Sequence, residues 1–249
     1  MRILEVFDAS YPALPISEIA RRADLPVATA HRLVTALVRM GLLERDAKRQ
    51  VRVGVRLWEL AARSSVAVGL RATAMPYLED LHAAVKQHTQ LGVLEGKEVL
   101  YLELLSSRGA VVNITRIASR LPAHACSSGL VLLAYAPAET QEEALSSQLQ
   151  RYTPKTVTDP TQLRRLLADV RRQGYAIADG FIHLDATGAA VPIRGFDGTV
   201  MATLSVIVPS GGGHAAAAIP ALITASRGIT RALGTTPQAP HPDTRPRSS

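Results

Sequence analysis

The sequence has a single cysteine, Cys126, among its 249 residues. One thiol cannot form an intramolecular disulfide, and it cannot supply a cysteine-rich zinc site. The sequence also lacks any uninterrupted apolar run near the roughly 20 residues that a membrane-spanning helix needs. Its first residues show neither the basic start nor the apolar core of a signal peptide. We therefore expect a cytoplasmic protein with no disulfide and no membrane segment.

Apolar residues and positive charge are both plentiful. Hydrophobic residues make up 47% of the chain and charged residues 20%, so a chain of this length can bury a substantial core. The formal net charge of +7 suits a polyanionic partner, although an arginine-rich composition gives the same value without contact to nucleic acid. Composition therefore indicates a folded globular protein, and the motifs must identify the partner.

A helix breaker separates two helix-like patterns near the start of the chain. An apolar segment at 3–7 predicts a short helix, and residues 11–15 predict a loop. Ser17 stands at an N-cap position, because its hydroxyl can accept an unpaired backbone N–H, and it predicts a helix over 18–23. A second helix from Val27 is predicted by apolar residues at spacings of three and four. They would form one buried stripe: Val27, Ala30, Leu33, Val34, Leu37 and Val38.

A basic hairpin follows the second helix. Gly41 stands where a helix-terminating glycine belongs. Residues 42–45 and 50–53 are typical of two short strands, and the turn between them carries Lys48 and Arg49. Two helices joined by a tight turn and followed by such a hairpin predict a winged helix-turn-helix.

The second helix carries small and hydrogen-bonding side chains at its N-terminal end, as a helix that enters the major groove of DNA must. Basic residues in and beside the hairpin turn would bind phosphates and make the affinity depend on salt. The alternative is a plain three-helix bundle with a solvated arginine face, and the hairpin and Gly41 weigh against it. We predict a DNA-binding surface formed by Ser17, Ala28, Thr29, His31, Arg32, Arg45, Lys48 and Arg49.

The rest of the chain predicts a linker of helices over 55–88 and an α+β domain over 89–234, built on an antiparallel sheet. A proline-rich tail over 235–249 is predicted to be disordered. With the DNA-binding domain at 1–54, these are the four expected segments. Strands are expected at 90–94, 98–105, 110–117, 175–178, 189–195 and 199–208, and helices at 127–136, 138–150, 161–173 and 215–233.

Four sequence words, in order, carry a resemblance to a known family. They are PISEIARRADLPVATAHRLVTALVRMGLLERD, SRLPAHACSSGLVLLAY, YTPKTVTDPTQLRRLLADVRRQGYAI and AAVPIRGFDGTVMATLSVIVP. On these words the chain resembles the IclR family of bacterial transcription regulators along nearly all of its length. The resemblance implies a winged helix-turn-helix, a linker helix and a GAF-like effector-binding domain. It also implies double-stranded operator DNA as a partner and assembly as a homodimer or a dimer of dimers.

The resemblance further implies a pocket for a small organic acid between the sheet and the helix after the LPAH word. Free N–H groups and the dipole of that helix suit a carboxylate at Cys126, Ser127 and Ser128, unless these residues only cap the helix. Gly188 and Ile207 stand where relatives carry polar side chains, which would make the pocket roomier and less polar. We therefore predict an acid bulkier and less polar than pyruvate or glyoxylate. The other family pocket positions fall on Asn113, Leu121, Ala178 and Ser205, with Asp179 beside Ala178.

Two other functions compete with a ligand-controlled regulator. An enzyme would use Cys126 activated by His124, but neighbours two residues apart on a loop rarely face each other, and no Gly-x-Ser-x-Gly elbow occurs. His183 and Asp185 lack a third ligand for a metal. The other alternative is a DNA-binding protein whose second domain binds no ligand and serves assembly only. We expect no enzyme, no cofactor and no metal.

Overall fold

The computed structural model describes residues 1–8, 10–64 and 66–235. These residues fall into two compact units, Met1–Gly69 and the chain from Leu70 onward. The boundary lies inside the predicted linker. Of the predicted disordered tail, Thr235 ends the last helix and the remainder lies outside the described residues.

The first unit is a winged helix-turn-helix, as predicted. Helices α1 (Ile16–Arg22) and α2 (Val27–Arg39) pack beside an antiparallel sheet of three short strands. The strands are β1 (Ala13–Leu14), β2 (Leu43–Arg45) and β3 (Val51–Val53), in the order β1-β3-β2. Strands β2 and β3 form the predicted hairpin.

Gly41 ends α2 in the manner expected from the sequence. Its φ of 74° lies in the left-handed region, which a residue without a Cβ adopts at little cost. The Gly41 N–H donates to the Val38 carbonyl at 2.9 Å and the Leu42 N–H donates to the Leu37 carbonyl at 3.0 Å. This pair of bonds is the Schellman arrangement, which satisfies the last carbonyls of the helix.

Three local expectations in the first unit were wrong. Ser17 is not the N-cap, because the Pro15 carbonyl already accepts the N–H groups of Glu18 and Ile19, each at 3.0 Å; the helix therefore begins at Ile16. Residues 2–6 form turns instead of a helix, although their apolar side chains are partly buried. The predicted loop contains β1, which pairs with β3.

Helices also occupy the predicted linker. Helix α3 (Val55–Ser64) belongs to the first unit. Helix α4 (Val66–Val85) begins in the first unit and lies mostly in the second, with Pro76 in its interior.

The second unit is an α+β domain around a six-stranded antiparallel sheet, as predicted. Its strands are β4 (His88–Glu95), β5 (Glu98–Leu105), β6 (Arg120–Pro122), β7 (Ala176–Asp179), β8 (Ala186–Arg194) and β9 (Val200–Pro209). They lie side by side in the order β6-β5-β4-β9-β8-β7. Its further helices are α5 (Ser127–Tyr135), α6 (Ala138–Ser146), α7 (Pro160–Gln173) and α8 (His214–Thr235).

Two apolar clusters cover the two faces of this sheet. Leu78 of α4 and Leu222 of α8 pack with Leu91 and Leu204 on one face. On the other face, α5 lies between the sheet and α7, so Leu130 and its neighbours are buried on all sides of the helix. Helix α5 thus starts against the sheet, and its N-terminus is held in a fixed position.

The strand predicted at 110–117 is absent. Residues 106–119 form neither helix nor strand, and we call this segment the cleft loop. Polar and apolar residues alternate at 112–115, as in a strand, but here the polar side chains point inward. Thr115 is buried and Asn113 half-buried, whereas Val112 and Ile114 are more than half exposed. A side chain of β4 holds the middle of the loop, where the His88 Nε2–H donates to the Val111 carbonyl at 2.6 Å, and the backbone of Ala118 bonds to Tyr101 of β5 at 2.8 Å.

Candidate functional site

The N-terminal end of α2 presents most of the predicted DNA-reading residues to solvent. Ala28, His31 and Arg32 are exposed and Thr29 is half-buried. Ala30 and Val34 are fully buried beneath them. The buried stripe is narrower than predicted, because Val27 (59% exposed) and Leu33 (38%) point away from the core.

The hairpin turn holds two basic residues at its tip. The Asp46 carboxylate accepts the N–H groups of Lys48 and Gln50, each at 2.9 Å, which shapes the turn without using either basic side chain. Lys48 and Arg49 are exposed. Arg45 lies between the hairpin and α2, where its guanidinium donates to the Thr35 hydroxyl at 3.4 Å. These three residues form a basic edge beside α2.

Arg21 and Arg22 of α1 are paired with an acid. Glu18 binds Arg21 and Arg22, each at 2.6 Å, and hydrogen bonds from Arg21 and then Arg22 lower the pKa of Glu18 from 4.5 to about 2. Arg22 also stacks on the ring of Tyr11 at 3.6 Å. Ser17 is exposed in the first turn of α1. The positive charge available to DNA therefore comes chiefly from α2 and the hairpin.

A cleft in the second unit opens at the N-terminus of α5. It measures about 460 Å³, counting the solvent at its mouth. Its walls are the sheet, the cleft loop and the loop between β7 and β8. The lining residues are mostly apolar: Tyr101, Val112, Asn113, Ile114, Thr115, Leu121, Ala125, Cys126, Ser127, Ala178, Phe181, Ile182, His183, Ala186, Gly188 and Ile207.

Strand register explains which sheet residues line the cleft. Ala178 lies opposite Gly188, and Gly188 lies opposite Ile207. Paired residues of an antiparallel sheet face the same side, so this row of three forms the floor.

The structure places the predicted effector-binding residues in two groups. Asn113, Leu121, Cys126, Ser127, Gly188 and Ile207 line the cleft, while Ser128, Asp179 and Ser205 are not among its lining residues. Sequence reasoning missed Tyr101, Phe181 and Ile182, because nothing in the spacing of apolar residues distinguishes a cleft wall from the core.

The serines outside the cleft are bonded to each other. Ser128 and Ser205 are both buried, and the Ser128 hydroxyl donates to the Ser205 hydroxyl at 2.9 Å. Asp179 pairs with Lys155 at 2.6 Å and accepts the Thr187 hydroxyl at 2.5 Å. The Lys155 ammonium, followed by the Thr187 hydroxyl, lowers the pKa of Asp179 below its usual value.

Gly188 does not open free space, contrary to the expectation. A Cβ at this position would lie 2.6 Å from the Ser127 hydroxyl oxygen and 3.3 Å from the Ser127 Cβ. The absent side chain instead lets Ser127 rest against the sheet. The apolar character of the floor therefore comes from Ile207.

The thiol of Cys126 has no catalytic partner in His124. The His124 Nε2–H donates to the Gln150 carbonyl at 2.9 Å, and the Cys126 thiol donates to the Pro122 carbonyl at 3.7 Å. Burial raises the pKa of Cys126, which keeps the thiol protonated and is the opposite of what a nucleophile needs.

Among the described residues that line the cleft, Asn113 carries a buried polar side-chain atom without a hydrogen-bond partner. Its Nδ2 is buried without a hydrogen-bond partner, whereas its Oδ1 accepts the Thr115 N–H at 3.0 Å. A buried amide donor without an acceptor is costly, so this atom needs a ligand or water. Asn113 is thus the clearest polar feature of the cleft.

Metal and membrane features are limited. Within residues 1–8, 10–64 and 66–235, no three His, Cys, Asp or Glu side chains are grouped to hold a metal ion; His183 and Asp185 lie 3.8 Å apart without a third ligand. None of the helices in this part of the chain is long and apolar enough to cross a membrane.

Family models match both units. Residues 1–47 match the model of the IclR helix-turn-helix domain, and residues 63–230 match the model described as bacterial transcriptional regulator IclR C-terminal. The HTH-type transcriptional regulator XynR of Escherichia coli (strain K12) is 30% identical over 208 residues, which are 83% of this chain and 82% of XynR.

Solved structures agree with these matches. The crystal structure of an IclR homolog complexed with 4-hydroxybenzoate, from Microbacterium hydrocarbonoxydans, is 49% identical with a TM-score of 0.89, covering 94% of this chain and 97% of that chain. An IclR homolog from Microbacterium sp. strain HM58-2 is 47% identical with a TM-score of 0.64, covering 95% and 97%.

Proposed function

The chain belongs to the IclR family of DNA-binding transcriptional regulators, and we propose that a carboxylic acid with a bulky, weakly polar body occupies its cleft and controls operator binding. The relatives compared are regulators and not enzymes. One observation carries the proposal: the wall of a mostly apolar cleft includes Asn113, whose Nδ2 is a buried amide donor without a partner.

The apolar wall favours a hydrophobic ligand body. Val112, Ile114, Phe181, Ile182 and Ile207 surround the cleft with hydrocarbon. Burying about 100 Å² more apolar surface than pyruvate offers would contribute about 2.5 kcal/mol, which corresponds to roughly 70-fold in affinity. An acid with a ring or a branched tail is therefore preferred to glyoxylate or pyruvate.

The polar end favours an anion. Asn113 offers an N–H donor there. Cys126 stands at the N-cap position of α5, and its side chain forms no capping hydrogen bond with the helix. Free N–H groups and the positive end of the helix dipole attract a carboxylate. The 4-hydroxybenzoate bound by the 49% identical homolog combines a ring with a carboxylate and so supports this ligand class.

DNA binding is assigned to the first unit. The N-terminal end of α2 would enter the major groove with Thr29, His31 and Arg32, while Arg45, Lys48 and Arg49 would bind phosphates.

We infer assembly as a homodimer or a dimer of dimers, since Val55 (65% exposed) and Trp58 (70%) leave an apolar surface on α3. A two-fold dimer would require a pseudo-palindromic operator with half-sites about 10 bp apart or a multiple of that.

Calorimetry on the full chain tests the ligand proposal. We expect 4-hydroxybenzoate and benzoate to bind at least tenfold more tightly than pyruvate and glyoxylate, and to change operator affinity in a band-shift assay. Equal binding of pyruvate would contradict the apolar-body argument. If none of these acids binds or raises the melting temperature, the second unit serves assembly only, which is the alternative function. Light scattering that shows a monomer would contradict the assembly.

A further inference from the structure

We propose that Gln90 holds the Asn113 amide in place by anchoring Thr115 to the sheet in a one-way chain of hydrogen bonds, so that the cleft selects ligands with a hydrogen-bond acceptor at this point. The inference rests on the proposed function, since it concerns the same cleft. It assigns a positioning role to Gln90, a residue that does not line the cleft.

The chain of bonds joins five residues from four elements. The Ser128 hydroxyl of α5 donates to the Ser205 hydroxyl of β9 at 2.9 Å, and Ser205 donates to the Gln90 Oε1 of β4 at 3.2 Å. The Gln90 Nε2 donates to the Thr115 hydroxyl. Thr115 donates to the Asn113 Oδ1 at 2.7 Å. Gln90 and Ser205 are fully buried cross-strand partners.

One backbone group fixes the direction of every bond. The Thr115 N–H can only donate, so the Asn113 atom that it meets at 3.0 Å must be the oxygen. The Thr115 hydroxyl lies 2.7 Å from the same oxygen and must donate its only proton to it. Thr115 can therefore only accept from Gln90.

The bonds of Gln90, Ser205 and Ser128, farther from the cleft, also have fixed directions. Because Gln90 turns its amide nitrogen toward Thr115, its oxygen faces Ser205, and Ser205 must donate to it. The Ser205 oxygen then accepts from Ser128. The proton of the Ser128 hydroxyl is thus engaged within the protein.

The orientation has a consequence for the ligand. With Oδ1 occupied twice by Thr115, the Nδ2 of Asn113 is left as a donor without a partner in the wall of the cleft. A carboxylate, a carbonyl or another acceptor satisfies this donor, whereas an ammonium or amidinium group meets it with like polarity. Removing the Gln90 or Thr115 side chain breaks the attachment of this part of the cleft loop to β4, so the amide no longer keeps a fixed position and the selectivity falls.

Matched ligands and variants of the full chain test the inference. The ligands are 4-hydroxybenzoate and p-cresol, which replaces the carboxylate by a methyl group. We expect Gln90→Leu and Thr115→Val each to lower the affinity ratio of 4-hydroxybenzoate to p-cresol by five- to tenfold. Thr203→Val is the control: it removes another buried hydroxyl of β9, which donates to the Gly92 carbonyl outside the chain, and should leave the ratio unchanged.

A double-mutant cycle separates positioning from general damage. If Gln90 acts through Asn113, Gln90→Leu should change the ratio no further in an Asn113→Ala background. A variant that merely loosens the core would weaken both ligands alike. Additive losses, or an unchanged ratio in Gln90→Leu, would overturn the inference.

A ligand-free measurement distinguishes this inference from the proposed function. In protein labelled with ¹⁵N at Asn and Gln side chains, Thr115→Val should shift the amide resonances of Asn113 and Gln90, and Thr203→Val should not. Shifts without binding of any acid would contradict the proposed ligand and retain the bond chain. Unshifted resonances would contradict the bond chain whatever the ligand.

Discussion

Arg71 of α4 forms an ion pair with Glu103 of β5, whose carboxylate is almost fully buried while the arginine is half exposed. The Glu103 Oε2 meets the Arg71 guanidinium in this ion pair and has no further hydrogen-bond partner. The other oxygen, Oε1, accepts the Leu104 N–H at 2.9 Å. Arg71 is thus the main charge compensation shown for this buried acid.

Removing Arg71 should destabilise the second unit more than removing both charges. Arg71→Met would leave a buried carboxylate unpaired, at a cost of about 3 kcal/mol. The double variant Arg71→Met/Glu103→Gln should recover most of that loss, because no uncompensated charge remains. The free energy of unfolding in urea measures both effects. Equal losses in the single and double variants would show that the charge of Glu103 is not the cause.

DNA binding should depend on Arg32 and Lys48 in different ways. Arg32→Ala is expected to abolish operator binding because it removes a base-reading group, while circular dichroism and oligomeric state stay unchanged. Lys48→Ala should weaken all sequences alike and reduce the salt slope of log K by about 1, as expected for one lost phosphate contact. Arg165→Ala, an equal loss of charge at an exposed position of α7, is the control. Undiminished operator affinity in Arg32→Ala would refute the role given to this residue.

The close approach of Gly188 to Ser127 predicts that Ser127→Ala restores the stability lost in Gly188→Ala. A Cβ at 188 would lie 2.6 Å from the Ser127 oxygen, so Gly188→Ala should cost about 1–3 kcal/mol by overpacking and weaken 4-hydroxybenzoate. Ser127→Ala removes the oxygen in question and should restore stability in the double variant. Thermal unfolding and calorimetry follow the two effects. A double variant no more stable than Gly188→Ala would mean that the crowding lies elsewhere.

The Glu18 ion pairs should stabilise the first unit over a defined pH range. Because the pKa of Glu18 is about 2 in the folded chain against an ordinary value of 4.5, the stabilisation is complete above about 4.5. It is lost as the pH falls through about 2. A carboxyl titration by NMR measures the pKa directly, and Glu18→Gln should reduce the change of stability across this range. A folded-state pKa near 4.5 would contradict the prediction.

Regular elements were predictable because their periodicity is local. The stripe of α2, the Gly41 stop and the β4–β5 hairpin each depend on residues close together in the sequence. The cleft loop misled the prediction, because alternation at 112–115 arises there from a loop with its polar side chains turned inward. In the sequence, this alternation looks the same as that of a strand with one buried face.

The site was only partly predictable from the sequence. Resemblance to the family gave Asn113, Cys126 and Ser127, but it could not say that Ser128 and Ser205 bond to each other instead of lining the cleft. The bond chain joins residues that are far apart in the sequence: 25 positions separate Gln90 from Thr115, and 115 separate Gln90 from Ser205. Such contacts depend on strand order, which no local pattern specifies.

The middle of the cleft loop is anchored by side chains of β4, His88 and Gln90, and its backbone bonds to β5 at its end, where Ala118 and Ser119 meet Tyr101. Substitutions or insertions within it therefore leave the hydrogen-bond ladder of the sheet intact. Sequence changes can therefore alter this one wall of the cleft while the sheet and α5 stay the same. Proteins built on this scaffold can thus diverge in the shape of the cleft before they diverge in fold.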